Sequence, residues 1–180
     1  MKHRWMIAAA VLLTASLGAA QEMKCPMHEQ HSQQPAACCH RKEPDHAADV
    51  DSRGDQAMGF MHTKTTHHFL LKEDGGVIQV TADDAQDGES IRAIREHIGH
   101  IATEFAAGNF DTPMFVHDQT PPGVEEMKRL RGNIHYSFEE VDRGGRVVIQ
   151  TKDAGARTAI HQFLRFQIEE HRTGDTEAVR

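Results

Sequence analysis

Two segments of the chain repeat the same succession of a hairpin and a helix, and this repeat limits the possible folds most strongly. An alternating run over residues 66–82 turns at Gly75-Gly76, and a second run over 134–151 turns at Gly144-Gly145. Alternating apolar and polar residues around a Gly-rich turn are typical of a β-hairpin. The repeat therefore predicts two hairpins of similar length.

Each predicted hairpin is followed by an amphipathic stretch, residues 89–107 in the first case and 154–172 in the second. When the Gly-Gly turns are aligned, Phe69 corresponds to Phe138. Two ββα units predict an α+β fold, in which a four-stranded antiparallel sheet carries helices on one face. Chance resemblance between two hairpin-helix units is the alternative.

After residue 20, the chain divides into three parts. Residues 21–62, called here the N-terminal segment, lack apolar periodicity and contain three prolines, so we expect a disordered arm rich in His, Met and Cys. We expect one domain over residues 63–175 and a short tail over 176–180. Within the domain, 110–118 is expected to be irregular or a short strand, and 122–131 a short helix that begins with proline.

Residues 1–20 have the features of a cleavable secretory signal. Lys2 and Arg4 precede an apolar run from Trp5 to Leu17, and Gly18-Ala19-Ala20 supplies small residues before the expected cleavage point. The apolar run is shorter than the roughly 20 residues that span a bilayer, although an uncleaved anchor is the alternative. We therefore expect a periplasmic or secreted protein without a membrane span after cleavage.

The composition favours cations as partners. Loss of Lys2 and Arg4 with the signal would change the formal charge from −7 to −9. A surface this acidic repels phosphate backbones, so nucleic acid is not expected as a partner. The chain also contains 14 histidines beside one Trp and one Tyr, which indicates metal or proton chemistry.

The most specific local motif lies in the N-terminal segment, at Cys25-Pro26-Met27-His28. Thiolate and thioether donors favour Cu(I), and imidazole binds either copper state. The motif resembles the Cys-Pro-Met-His-Pro core of the small heavy-metal-binding motif of copper and silver efflux proteins, with Glu29 in place of the final proline. The aromatic residue that usually precedes this motif is also missing. The resemblance implies a copper preference for Cys25, Met27 and His28, and nothing about transport.

A second group of soft donors follows at Cys38-Cys39-His40. It could form another metal site. The alternative is one disulfide plus one free thiol, because three cysteines are an odd number in an oxidising compartment.

Histidines in the predicted domain offer further ligands. His97, His100 and Glu104 fall on one stripe of the first helix, either as a two-histidine, one-carboxylate metal site or as a solvated flank. His67 should point toward the core, either as a hydrogen-bonded core histidine or as a ligand. On the second helix, His171 falls on the apolar face one turn beyond Gln167. Polar residues in this position sometimes line a pocket, and the alternative is a solvated helix end.

Common catalytic motifs are absent from the sequence, including a phosphate-binding loop, a Gly-x-Ser-x-Gly elbow and a His-Glu-x-x-His metal motif. The stretches Thr-Thr-His-His-Phe at 65–69 and Ile-His-Gln-Phe-Leu-Arg-Phe-Gln at 160–167 resemble a group of uncharacterised exported bacterial proteins, over most of residues 58–175. That resemblance implies the domain boundaries and export, and no activity.

Three hypotheses of function remain. The first is an exported copper-binding protein, a buffer or carrier, with the metal ion and another periplasmic protein as partners. The second is a periplasmic enzyme whose metal is held by some of His67, His97, His100, Glu104 and His117. The third is a small interaction domain whose histidines respond to pH.

Overall fold

The two predicted hairpins form one antiparallel sheet in a computed structural model, which describes residues 45–180. The strands are β1 (Thr65–Lys72), β2 (Gly75–Ala82), β3 (Ile134–Val141) and β4 (Gly144–Thr151), in the spatial order β1-β2-β4-β3. The helices are α1 (His46–Met58), α2 (Gly88–Ala107), α3 (Asp111–His117), α4 (Val124–Arg129) and α5 (Ala154–Glu170). The predicted α+β class and four-stranded antiparallel sheet are confirmed.

The register of the sheet reflects the repeat in the sequence. Gly75 of β2 pairs with Gln150 of β4, and the equivalent Gly144 of β4 pairs with Thr81 of β2. The hairpins therefore meet through their second strands in a two-fold-like arrangement. Every second residue along these strands faces α2 and α5. Ile78 of β2 and Val147 of β4, which pair with each other, both lie on this covered face.

The two long helices begin in the same way in both repeats. The side chain of Asp87 accepts a hydrogen bond from the Ser90 amide at 3.0 Å, and that of Asp153 accepts one from the Ala156 amide at 2.8 Å. Such caps satisfy amides that have no partner within the helix. From these starts α2 packs mainly over β3 and β4, and α5 packs over β1 and β2.

Residues 45–62 differ from the expected disordered arm. His46–Met58 form α1, and Val50 and Phe60 are buried, so the expectation of disorder is wrong for these residues and the folded part begins before residue 63. The buried stripe of α1 consists only of Val50, Gly54 and the half-buried Met58, which is too weak a pattern to indicate a helix. Within residues 45–180, no helix is both long enough and apolar enough to cross a membrane.

The expected irregular or extended structure over 110–118 is also wrong, because Asp111–His117 form α3. Pro113 occupies the third position of this helix, where the backbone nitrogen has no carbonyl partner within the helix, so proline is tolerated. Pro113, Val116 and His117 then share one buried face. The short helix expected over 122–131 is confirmed as α4.

Candidate functional site

Four histidines from four separate elements line one small cavity, which we call the histidine cavity. It has a volume of about 70 Å³ and lies between the helix-covered face of β1–β2 and the helices α2, α3 and α5. Its walls are mainly apolar, and its polar lining comes from His67, His97, Thr112, His117, Gln167 and His171. A cavity of this volume is large enough for a few water molecules or one small ion, and its converging polar groups could bind either.

His67 and His97 lie on either side of a buried phenylalanine. His67 belongs to the helix-covered face of β1, where it pairs with the buried Val80 of β2, so its predicted inward orientation is confirmed. The Phe60 ring lies 6.2 Å from the His67 ring and 5.8 Å from the His97 ring, measured between centroids. The buried Phe60 ring, just after α1 in the chain, therefore lies near both imidazoles.

His117 is the most deeply buried of the four histidines, with 2% of its surface exposed. Its Nε2 lies 3.1 Å from Oε1 of Gln167, and its Nδ1 lies 3.5 Å from Oε2 of Glu170. The same carboxylate oxygen of Glu170 accepts a hydrogen bond from His46 at 2.7 Å. The His117 ring thus connects the cavity with a carboxylate near the end of α5.

His171 reaches the cavity because of the way α5 ends. Arg172 adopts a left-handed conformation with φ of 52°, and the Thr173 amide donates to the Ile168 carbonyl at 3.2 Å. This is the Schellman pattern of a helix C-terminus. It turns the chain away after His171, whose ring stacks on His67 with centroids 5.8 Å apart and planes within 6°.

The environment keeps these imidazoles neutral. Burial, with a smaller contribution from the charge of His97, lowers the pKa of His67 from 6.5 to about 4. Burial also lowers the pKa of His97 to about 4 and that of His171 to about 3. The pKa of His117 is lowered by burial too, against the opposing effects of Gln167 and Glu170. At neutral pH all four rings are therefore neutral, and each has one unprotonated nitrogen.

Several polar atoms in the cavity wall lack a partner. Among the described residues, Nε2 of His67 and Nε2 of Gln167 are buried without a hydrogen bond, and Nδ1 of His117 has only the Glu170 carboxylate at 3.5 Å. Buried polar atoms are nearly always satisfied, and an exception often marks a place where a ligand, ion or water binds. The cavity therefore has the polar groups needed to hold a small guest.

The predicted stripe on the first helix does not converge on one point. His97 lines the cavity, His100 is exposed, and Glu104 faces α3, where it accepts a weak 3.4 Å hydrogen bond from Thr112. Across residues 45–180, no group of three or more His, Cys, Asp or Glu side chains is placed to hold a metal ion. The structure therefore places His67 and His97 at the cavity, and His100 and Glu104 outside its lining.

The predicted donors of the N-terminal segment lie outside the described residues: Cys25, Met27, His28, Cys38, Cys39 and His40. Gln167 and His171, which the sequence places one turn apart on the last helix, both line the cavity.

Sequence reasoning missed Met58, the last residue of α1, which also lines the cavity. Met58 lies eight residues after Val50 and so on the same face of α1, but the composition of this segment did not indicate a helix.

The chain matches no protein-family model, no curated protein and no solved structure at a significant level.

Proposed function

We propose that this chain is an exported metal-binding protein of the copper-handling kind, which acts as a buffer or carrier. The observation that carries the proposal is the gathering of four neutral imidazoles around one cavity, in a chain that also contains Cys25, Met27 and His28. Neutral imidazole is the form that binds transition metals. Thiolate and thioether donors select Cu(I) over hard ions such as Mg²⁺ and Ca²⁺.

In this proposal the N-terminal donors capture the ion, and the folded domain either holds it or docks on another periplasmic protein. Cys25, Met27 and His28 form the first capture group, and Cys38, Cys39 and His40 form a second one when their thiols are reduced. Thiolates must lose their protons to bind metal, so affinity should decrease as the solution is acidified.

The test is competition with a chromogenic Cu(I) chelator, using reduced protein that begins at Gln21. We expect the double variant Cys25→Ser, Met27→Ala to bind Cu(I) at least tenfold more weakly than the wild type. The matched control is Gln33→Ser, Gln34→Ala, which changes the same segment without removing a soft donor. Equal affinities in the wild type and the Cys25/Met27 variant would refute the role of this motif.

The second candidate is an interaction domain that responds to pH. The lowered pKa values of His67, His97 and His171 favour it, because protonating these rings inside the cavity would disrupt their packing. This candidate predicts no tight ion in the wild type. A metal-free sample in which the His67 and His97 ring resonances move together around pH 4, with those of His171 following near pH 3, would support it.

A further inference from the structure

The two edges of the sheet differ in what lies against them. At the outer edge of β1, the Asp175 carboxylate accepts the Phe69 amide at 2.9 Å, and the Arg180 amide donates to the Leu71 carbonyl at 3.1 Å. Residues near the C-terminus thus satisfy the backbone of this edge strand. β3 forms the opposite edge, and within residues 45–180 only β4 hydrogen-bonds to the backbone of residues 135–140.

The repeat shows which backbone groups of β3 point outward. Phe138 corresponds to Phe69 when the two hairpins are aligned, and the outward direction recurs at every second residue of an edge strand. The N–H and C=O groups of Tyr136, Phe138 and Glu140 therefore point away from β4. Such an open row of backbone groups is a template to which another strand can be added.

The side chains of β3 do little to oppose strand addition. Exposed edges are commonly protected by charged residues, but both carboxylates of β3 are paired within the chain. Glu139 lies 2.6 Å from Arg146, and Glu140 lies 3.2 Å from Arg95. Phe138, at the same edge, is 36% exposed. The edge therefore combines compensated charge with an exposed aromatic ring.

The helix above β3 leaves room for a neighbouring molecule. α2 passes over the Phe138 ring at Gly99, where a Cβ would lie 3.9 Å from that ring. Thr103 and Ala106 continue this flank of α2 at helical spacing, and both are exposed. Small side chains on this flank allow a second helix to approach to the usual packing distance of about 8–10 Å.

The sequence of β3 is complementary to itself about Ser137. Two copies of β3 that run antiparallel across a two-fold axis at Ser137 place His135 of one protomer opposite Glu139 of its partner, and Tyr136 opposite Phe138. The first pair joins an imidazole N–H donor to a carboxylate, and the second joins two aromatic rings. Both are favourable cross-strand pairs. Moving the axis to either neighbouring residue loses both pairs.

We propose that the outer edge of β3 binds a second copy of this chain, with the two strands antiparallel about Ser137, so that the two sheets become one continuous sheet. This dimer goes beyond the proposed copper handling and does not depend on it. One strand pair and one helix flank form a small interface, so the dimer should dissociate at about micromolar concentrations.

An engineered cysteine at the axis tests the register directly. Ser137 opposes itself in a pair that is not hydrogen-bonded, whose Cα atoms lie about 4.5 Å apart, within the range of disulfides. The background is the chain beginning at Gln21 with its three cysteines replaced by serine. On it, Ser137→Cys should form a covalent dimer on mild oxidation at high protein concentration. His135→Cys is the matched control and should stay monomeric, because it faces Glu139 in the partner.

Sedimentation velocity over a range of concentrations measures the association itself. The wild type should change from monomer to dimer as its concentration rises. Ser137→Glu places two carboxylates opposite each other and should raise the dissociation constant at least about tenfold. Gln79→Glu, in β2 on the same helix-free face of the sheet, is the matched control and should leave it unchanged.

Hydrogen exchange of the wild type covers the case in which a variant does not fold. The Tyr136 and Phe138 amides should exchange more slowly as the protein concentration rises. A protein that stays monomeric, a dimer unaffected by Ser137→Glu, or equal cross-linking of Ser137→Cys and His135→Cys would overturn the proposal. Slow exchange of both amides in a dilute monomer would also overturn it, because the chain's own N-terminal segment would then occupy the edge.

Discussion

Acid should destabilise the metal-free protein at a pH well above the range in which its carboxylates titrate. The pKa values of His67 and His97 are about 4 and that of His171 is about 3, against 6.5 for the free side chain. Because the folded-state pKa values are depressed, the unfolded chain takes up protons first as the pH falls. The stabilisation is complete above about pH 6.5 and is lost as the pH falls toward the folded-state values.

The magnitude follows from proton linkage. Between about pH 7.5 and pH 5, one histidine whose pKa is 6.5 unfolded and about 4 folded lowers the free energy of unfolding by roughly 2 kcal/mol. His67, His97 and His171 together then set an upper limit of roughly 6 kcal/mol, as large as the whole stability of many domains. Asp87, Asp153 and Asp175 have pKa values lowered below 3.8 by hydrogen bonds, so they do not contribute in this range.

Urea unfolding of the metal-free protein, followed by circular dichroism at several pH values, measures this effect directly. His97→Phe keeps an aromatic ring beside Phe60 but cannot be protonated, so it should reduce the loss of stability between about pH 7.5 and pH 5 by roughly 2 kcal/mol. His135→Phe, at an exposed position, is the matched control. A loss of stability in His97→Phe as large as that of the wild type would refute the argument.

Three further changes test the packing of the domain. Phe163 is only 1% exposed on α5, so Phe163→Ala should cost about 3–5 kcal/mol of unfolding free energy, whereas Phe115→Ala, at 47% exposure, should be near neutral in the same urea measurement. Gly123 has φ of 87°, and a Cβ there would lie 2.1 Å from a carbonyl oxygen of α5, so Gly123→Ala should lower the melting temperature and cost at least about 2 kcal/mol. The Asp175 carboxylate accepts the Phe69 amide of the edge strand at 2.9 Å, so Asp175→Asn should accelerate hydrogen exchange at that amide; unchanged exchange would show that the contact is not maintained in solution.

The sheet and the two long helices could be predicted because local pattern and tertiary packing agree there. Alternating residues flank the Gly75 and Gly144 turns, and a Cβ at either glycine would lie within about 2.1 Å of a carbonyl oxygen on the neighbouring strand. Glycine is therefore required at both turns, and its presence indicates them. The helices likewise carry continuous apolar stripes after Asp caps, which fixes their starts.

The helices α1 and α3 could not be predicted because little in their own sequences requires a helix. α1 buries only Val50 and Gly54, with Met58 half-buried, so its apolar face is small and its helical state depends on packing against α3. In the α3 segment, Pro113 read from the sequence indicates the end of a helix. Only the structure shows that it lies in the first turn, where proline is tolerated. Tertiary contacts decide the conformation in both cases.

The histidine cavity could be predicted only in part. The inward orientation of His67 follows from strand alternation, and that of His171 from helical periodicity. Their meeting with His117 depends on the unpredicted α3 and on the Schellman end of α5. The site expected at His97 and His100 was inferred from their spacing along one helix. Such spacing does not show which residues of other helices and strands complete a site.

Metal content tests the central claim of copper binding most directly. The chain should be produced with residues 1–20, recovered under reducing conditions from the periplasm of cells grown with added copper and zinc, and subjected to elemental analysis. The proposed function predicts copper in excess of zinc, at one or more equivalents per chain, with most of it lost when the donors before residue 45 are replaced. Protein recovered without copper, or with zinc in its place, would contradict it.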